Sequence, residues 1–150
     1  MYVLTNITDR PHFRSVADQF AANGYFTVIP DIWHGDNVPL SWEAGDDFPL
    51  GQWMGKHQPD TVEPVAKAVI DAMRNEHGVK KLCGVGYCLG AKYVLRSMSS
   101  ARGQKLDSGY FAHPTAVTAE ELKGAEGPLS IAAAGEEKIC VALPKISQLI

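Results

Sequence analysis

Cysteine is scarce in this chain: Cys83, Cys88 and Cys140 are odd in number and far apart. Such a set builds neither a disulfide framework nor a zinc site, which needs ligands in closer clusters, so no metal is expected. The default it leaves is a reducing, cytoplasmic setting. Charge of one sign is scarce too, and a net charge of −3 gives no reason to expect nucleic acid or an anionic membrane surface as partner. No run of 18 apolar residues occurs, which argues against a membrane-spanning helix. Met1 leads directly into the strand-like Tyr2-Val3-Leu4-Thr5, without the basic, apolar and small-residue regions of a signal peptide. Repeats and biased tracts are also lacking. What remains is ordinary globular material: 150 residues, 45% hydrophobic and 21% charged, suited to one domain (residues 1–150) with a buried core.

Strand-like and helical patterns alternate along the chain. Val3-Leu4 opens a strand, and Phe13, Val16, Ala17, Phe20 and Ala21 then share one helical face closed by Gly24. Tyr25 to Ile29 reads as a buried strand stopped by Pro30. Asp31 to Pro59 reads as a long loop without period, and loops of that length are usually functional. A second helix has Pro64 near its first turn, core positions Val65, Val69, Ala72 and Met73, and a stop at Gly78. Leu82 to Tyr87 is the next strand, and Leu89 to about Met98 the next helix. Ser108 to Phe111 is a strand, Thr118-Ala119-Glu120-Glu121 is a capping box, and Leu129 to Ala134 is a final strand. This alternation predicts a parallel sheet with helices on both faces.

The chemistry-bearing stretch is Gly86-Tyr87-Cys88-Leu89-Gly90, with a strand before it and a helix after it. That is the context of a nucleophile elbow, with cysteine in the place more often held by serine. The nucleophile of an elbow sits on a strained turn, and side chains at Gly86 or Gly90 would collide with the adjoining strand or helix. The helix N-terminus favours a thiolate at Cys88, and the Leu89 N–H faces the space where an oxyanion forms. The competing structural reading makes Cys88 a small buried hydrophobe; Cys83, inside the strand, is expected in the core. A dinucleotide loop at Gly84-x-Gly86-x-x-x-Gly90 has the wrong spacing, and no acidic residue ends a strand about 20 residues later.

The elbow, together with Ala17 to Tyr25, Ile29-Pro30-Asp31 leading to Gly35-Asp36, and Gly127 to Ala134, resembles the dienelactone hydrolases, closest to the fungal branch. The resemblance implies a three-layer α/β-hydrolase-type fold with a mostly parallel sheet, keeping about five of the usual eight strands. It further implies hydrolysis of a small-molecule ester or lactone by a Cys-His-Asp triad, without metal or organic cofactor. Cys88 matches the nucleophile. Glu137 matches the acid position, where the family usually has aspartate, and Glu136 is the neighbouring alternative. Ile7 matches the second oxyanion N–H donor. In this fold the triad histidine follows the acid in chain order. Residues 138–150 contain no histidine, and a parallel crossover alone takes about a dozen residues. The expectation is therefore a chain short of two opening strands, of a final strand and of its histidine, with impaired catalysis. The rival expectation is a non-catalytic remnant or misread product that binds a small molecule or a partner chain.

All five histidines precede Glu137. His12, His57 and His77 are expected on the surface. His34 and His113 follow strand ends and, with Trp33 and the elbow residue Tyr87, are candidates for pocket lining. The loop carrying Trp33, Trp42 and Trp53 is either an aromatic wall for a flat ligand or lid packing. It holds no arginine, only Lys56, so the resemblance does not carry over dienelactone itself as substrate. Unpaired sheet edges, at Tyr25 to Ile29 and at Leu129 to Ala134, are expected to favour self-association.

Overall fold

A computed structural model describes residues 2–4, 11–39, 47–103 and 105–133. Ile7, Trp42, Glu136, Glu137 and Cys140 lie outside them. The elements are β1 (Tyr2–Leu4), α1 (Pro11–Ala22), α2 (Leu50–Lys56), α3 (Pro59–Asn75), β2 (Cys83–Tyr87), α4 (Leu89–Arg96), β3 (Ser108–Ala112), α5 (Ala119–Lys123) and β4 (Leu129–Ala132). The strands form one parallel sheet in the order β1-β2-β3-β4. Gly84 of β2 pairs with Gly109 of β3, and Tyr110 with Ser130 of β4. The expected α/β architecture is present.

Helix α4 is the hub. Leu89, Ala91, Tyr93, Val94 and Leu95 are all buried, because it packs on β2 and β3 and against α3 and α5. Ala91 and Leu95 join Phe111, while Val94 meets Ile70, Met73, Leu82, Met98 and Leu106 in the larger part of the core. On the other side of the sheet, Phe13 of α1 packs on Tyr87, their ring centroids 5.4 Å apart. Alternation along β2 turns Tyr87 away from α4, so helices cover both faces.

Three expectations are corrected. Tyr25 to Ile29 is not a strand of the sheet: Val28 makes one isolated bridge, and Tyr25 and Phe26 are 56% and 53% exposed. Its β-branched and aromatic residues suit a strand, but β-propensity is realised only where neighbours pair along the segment. The loop from Asp31 to Pro59 contains α2, whose Leu50, Trp53 and Met54 share one face. Two turns carrying Gly51 and Gly55 are too short and too weak in propensity to register as a period. Helix α3 starts at Pro59, leaving Pro64 inside it, and buries Val62, Ala66, Ile70 and Met73. The predicted Val65 and Val69 only flank that face. Apolar residues are dense enough here to support two overlapping phases, and packing against α4 selects between them.

Polar clips hold the layers in register. Asp107 accepts from the Leu82 N–H (2.7 Å) and from Arg74 (2.8 Å), fastening the end of α3 to the starts of β2 and β3. Arg96 of α4 bridges Glu63 of α3 and Glu121 of α5, and Lys92 adds a second contact to Glu121 at 2.9 Å. Glu121 also closes the predicted capping box: its N–H donates to the Thr118 hydroxyl (3.2 Å), and its carboxylate accepts from the Thr118 N–H (2.9 Å). Burial alone would raise the Glu121 carboxyl, but the hydrogen bonds from Lys92, Arg96 and Thr118 outweigh it and hold the group below its ordinary value. A carboxylate depressed by folding contributes stability above its unfolded pKa and loses it as pH falls through the folded value. Thermal unfolding followed from pH 7 downward should therefore lose stability below the ordinary glutamate value of 4.5, and the loss should be shallower in Glu121→Gln. Parallel acid profiles for the two proteins would remove Glu121 from this account.

Candidate active site

Cys88 occupies the junction of β2 and α4 with φ +53° and ψ −120°, a conformation that costs a non-glycine residue about 1–3 kcal/mol. The surroundings hold it there. Its N–H donates to the Ala112 carbonyl (3.2 Å), and its carbonyl accepts from the N–H groups of Ala91 and Thr115, both at 3.2 Å. A Cβ on Gly86 would lie 2.7 Å from the Gly90 oxygen and 2.8 Å from the Ala91 nitrogen. The two elbow glycines thus touch through their main chains, and this contact makes the turn tight.

The Cys88 thiol is half-buried, with Sγ 3.4 Å from the Thr115 hydroxyl. Leu89 is the first residue of α4, a position whose N–H has no acceptor within the helix. Cys83 stands at the opposite end of β2 and is also half-buried, rather than in the core as expected. The arrangement offers a thiol above the strand ends, beside a helix N-terminus and open to solvent on one side.

Matched against protein families, residues 6–148 fit the dienelactone hydrolase family. The chain belongs to that family. Hydrolase tropI of Talaromyces stipitatus is 44% identical over 132 residues, covering 83% of this chain and 50% of its own length. Hydrolase pyvD of Aspergillus violaceofuscus is 41% identical over 124 residues, with 83% and 49% covered. Dienlactone hydrolase 1 of Gibberella moniliformis is 30% identical over 130 residues, with 81% and 48% covered. The chain spans about half the length of these curated relatives. No solved structure matches.

Within this dienelactone hydrolase family member, the candidate pocket residues separate into two groups. Tyr87 and His113 stay near the elbow, with ring centroids 6.0 Å apart. His113 is exposed, has φ +37°, and donates its N–H to the Ala132 carbonyl at 2.8 Å. Burial pushes the Tyr87 hydroxyl above its ordinary value, and neighbouring Tyr110 adds to the effect. Trp33 instead belongs to the core, 1% exposed, with Trp53 at 5.0 Å and Tyr93 at 5.8 Å. Trp53 therefore serves as packing, whereas Trp33 packs on these rings and also lines a cavity, as expected of a pocket residue. His34 is exposed, and its Nε2 lies 3.5 Å from the Thr61 carbonyl at the start of α3. A cavity of about 620 Å³ runs between α1 and residues 27–37, lined among others by Phe13, Arg14, Ile29, Asp31 and Trp33. Because Phe13 also packs on Tyr87, this cavity lies one side chain from the elbow.

His57 corrects a further expectation. It is 6% exposed, its Nε2 is 3.1 Å from the Asp36 carboxylate, and its ring packs at a tilt against that of Trp53, centroids 4.3 Å apart. Nothing local signals the contact with Asp36, which lies 21 positions earlier, whereas Trp53 is one helical turn away. No group of three or more histidine, cysteine or carboxylate side chains able to hold a metal occurs among the described residues.

The elbow contact makes Gly86→Ala destabilising by roughly 2–4 kcal/mol, because the colliding atoms are backbone and cannot move aside cheaply. Gly51→Ala is the control, with open space around the added methyl in a helix and a gain of up to ~1 kcal/mol. Urea unfolding of both variants tests the pair; equal stabilities would mean that the elbow tolerates a side chain at Gly86.

Proposed function

We propose that the chain carries the nucleophile half of a carboxylic-ester or lactone hydrolase, with Cys88 as the attacking group. The observation supporting this most directly is the strained Cys88 backbone above two glycines in contact. Cysteine as a mere core hydrophobe needs no such conformation. In this reading the Cys88 thiolate attacks the substrate carbonyl and forms a C–S bond. The N–H groups of Leu89 and Ile7 receive the oxyanion. Collapse breaks the C–O bond, expelling the alkoxide or opening the lactone ring, the freed oxygen takes a proton from solvent, and a thioester is left. A water molecule then attacks the thioester, its proton passing to a base, and releases acid and thiol. Glu137, or Glu136 beside it, would orient that base. Tyr87 and His113 border the acyl group, and the reaction needs no metal or organic cofactor. Retained free thiols fit a reducing, cytoplasmic setting.

Among the described residues the Cys88 sulfur has the Thr115 hydroxyl and no histidine within hydrogen-bond reach, so release of the acyl group should be the slow step of the 150-residue polypeptide. General-base assistance is worth ~10²–10⁴ in rate, and deacylation should lag by about that factor. The same absence favours a second reading, a ligand-binding protein without turnover. The two separate in one assay. With p-nitrophenyl acetate, the expected result is a burst no larger than stoichiometric, abolished by Cys88→Ala, followed by turnover near background. No burst, with Cys83 alkylated before Cys88 by a limiting thiol reagent, would leave the binding reading standing. Sustained turnover lost in His113→Ala would instead make His113 the base.

A further inference from the structure

We infer that Thr115 is a positioning residue for the Cys88 sulfur, an inference that rests on the reading of Cys88 as nucleophile. Thr115 touches Cys88 twice. Its N–H donates to the Cys88 carbonyl at 3.2 Å, and its hydroxyl lies 3.4 Å from Sγ, within hydrogen-bond reach of sulfur. The first contact acts on the elbow main chain; the second acts on the side chain alone.

The segment carrying Thr115 is pinned on both sides. The His113 N–H extends the β3–β4 ladder by donating to the Ala132 carbonyl at 2.8 Å. Pro114 is buried, and its ring fixes φ there. Beyond Thr115, the Ala116 carbonyl accepts from Lys92 Nζ at 2.7 Å, and Lys92 is itself held by Glu121. Thr115 therefore sits between two anchored neighbours, His113 and Ala116, each at positive φ. Threonine is stiff at χ1, so fixing this backbone also fixes the direction of its hydroxyl.

A cysteine side chain has three staggered χ1 wells, and a thiolate in the wrong one points away from the carbonyl it must attack. The Thr115 O–H donates to the Cys88 thiolate, selecting one well and stabilising the charged form before substrate arrives. A charge-assisted hydrogen bond of this kind supports an effect of about tenfold on thiol reactivity.

The experiment uses the full 150-residue chain as wild type, Thr115→Val, Thr115→Ser and Thr115→Ala. The readouts are the alkylation rate of Cys88 with iodoacetamide, followed by peptide mass spectrometry, the acylation burst with p-nitrophenyl acetate, and the melting temperature. Valine keeps the shape and backbone N–H but lacks the hydroxyl, so both rates should fall about tenfold with melting unchanged. Serine restores the hydroxyl and should return both rates to near wild type. Alanine supplies the same loss if the valine variant does not fold. A reactive Cys88 indifferent to valine or alanine, or a serine variant as slow as valine, overturns the role of Thr115 alone. A wild-type Cys88 that neither alkylates nor acylates overturns the nucleophile reading and this inference with it.

Discussion

At Gly86 the backbone of β2 lies against that of Gly90 and Ala91, with no room for a Cβ between them. This approach lets α4 begin immediately after β2, so the one residue between them must turn the chain through a positive φ. Cys88 is that residue. Its strain is balanced by three backbone hydrogen bonds, to Ala112, Ala91 and Thr115, which come from the neighbouring strand, the following helix and the loop after β3. The thiol is therefore presented by a local conformation that only the assembled sheet can maintain.

The same helix organises the charges. Arg96 and Lys92 leave α4 toward Glu63 and Glu121, binding α3 and α5 to it while the apolar side of α4 is buried in the sheet. Pairs of this kind contribute little at an exposed surface. Here Glu121 is 7% exposed and Arg96 and Lys92 14%, so each charge depends on its partners remaining in place. Lys92 also reaches the Ala116 carbonyl and so passes this fixation to the loop beside the thiol. Stability and presentation of the reactive group share one set of contacts.

The aromatic residues divide along the same line. Trp33, Trp53 and His57 pack with Tyr93 of α4, where burial pushes the Tyr93 hydroxyl up to about 12 and its O–H donates to the His57 carbonyl. Phe13, Tyr87 and His113 gather instead near the elbow. A tryptophan-rich loop and a strand-end histidine look alike as candidates for pocket lining. In the fold Trp53 is buried among other rings, Trp33 packs on it while lining the cavity beside Phe13, and His113 stays exposed, differences that residue type does not encode.

Local rules made much of this protein legible. The glycines around Cys88, the helix of Phe13 and Ala17 and the Thr118 capping box all rest on chemistry between near neighbours in the chain. For such features the sequence by itself determines the outcome, because the interacting groups are neighbours on the chain. Tertiary structure decided the rest. The face α3 buries, the isolated bridge at Val28, the burial of His57 against Asp36 and the contact of Thr115 with Cys88 each depend on residues 20 or more positions away or on neighbouring elements. Their energies exist only after the layers have closed, when one packing among several allowed by the local pattern excludes the most water and leaves the fewest polar groups unpaired.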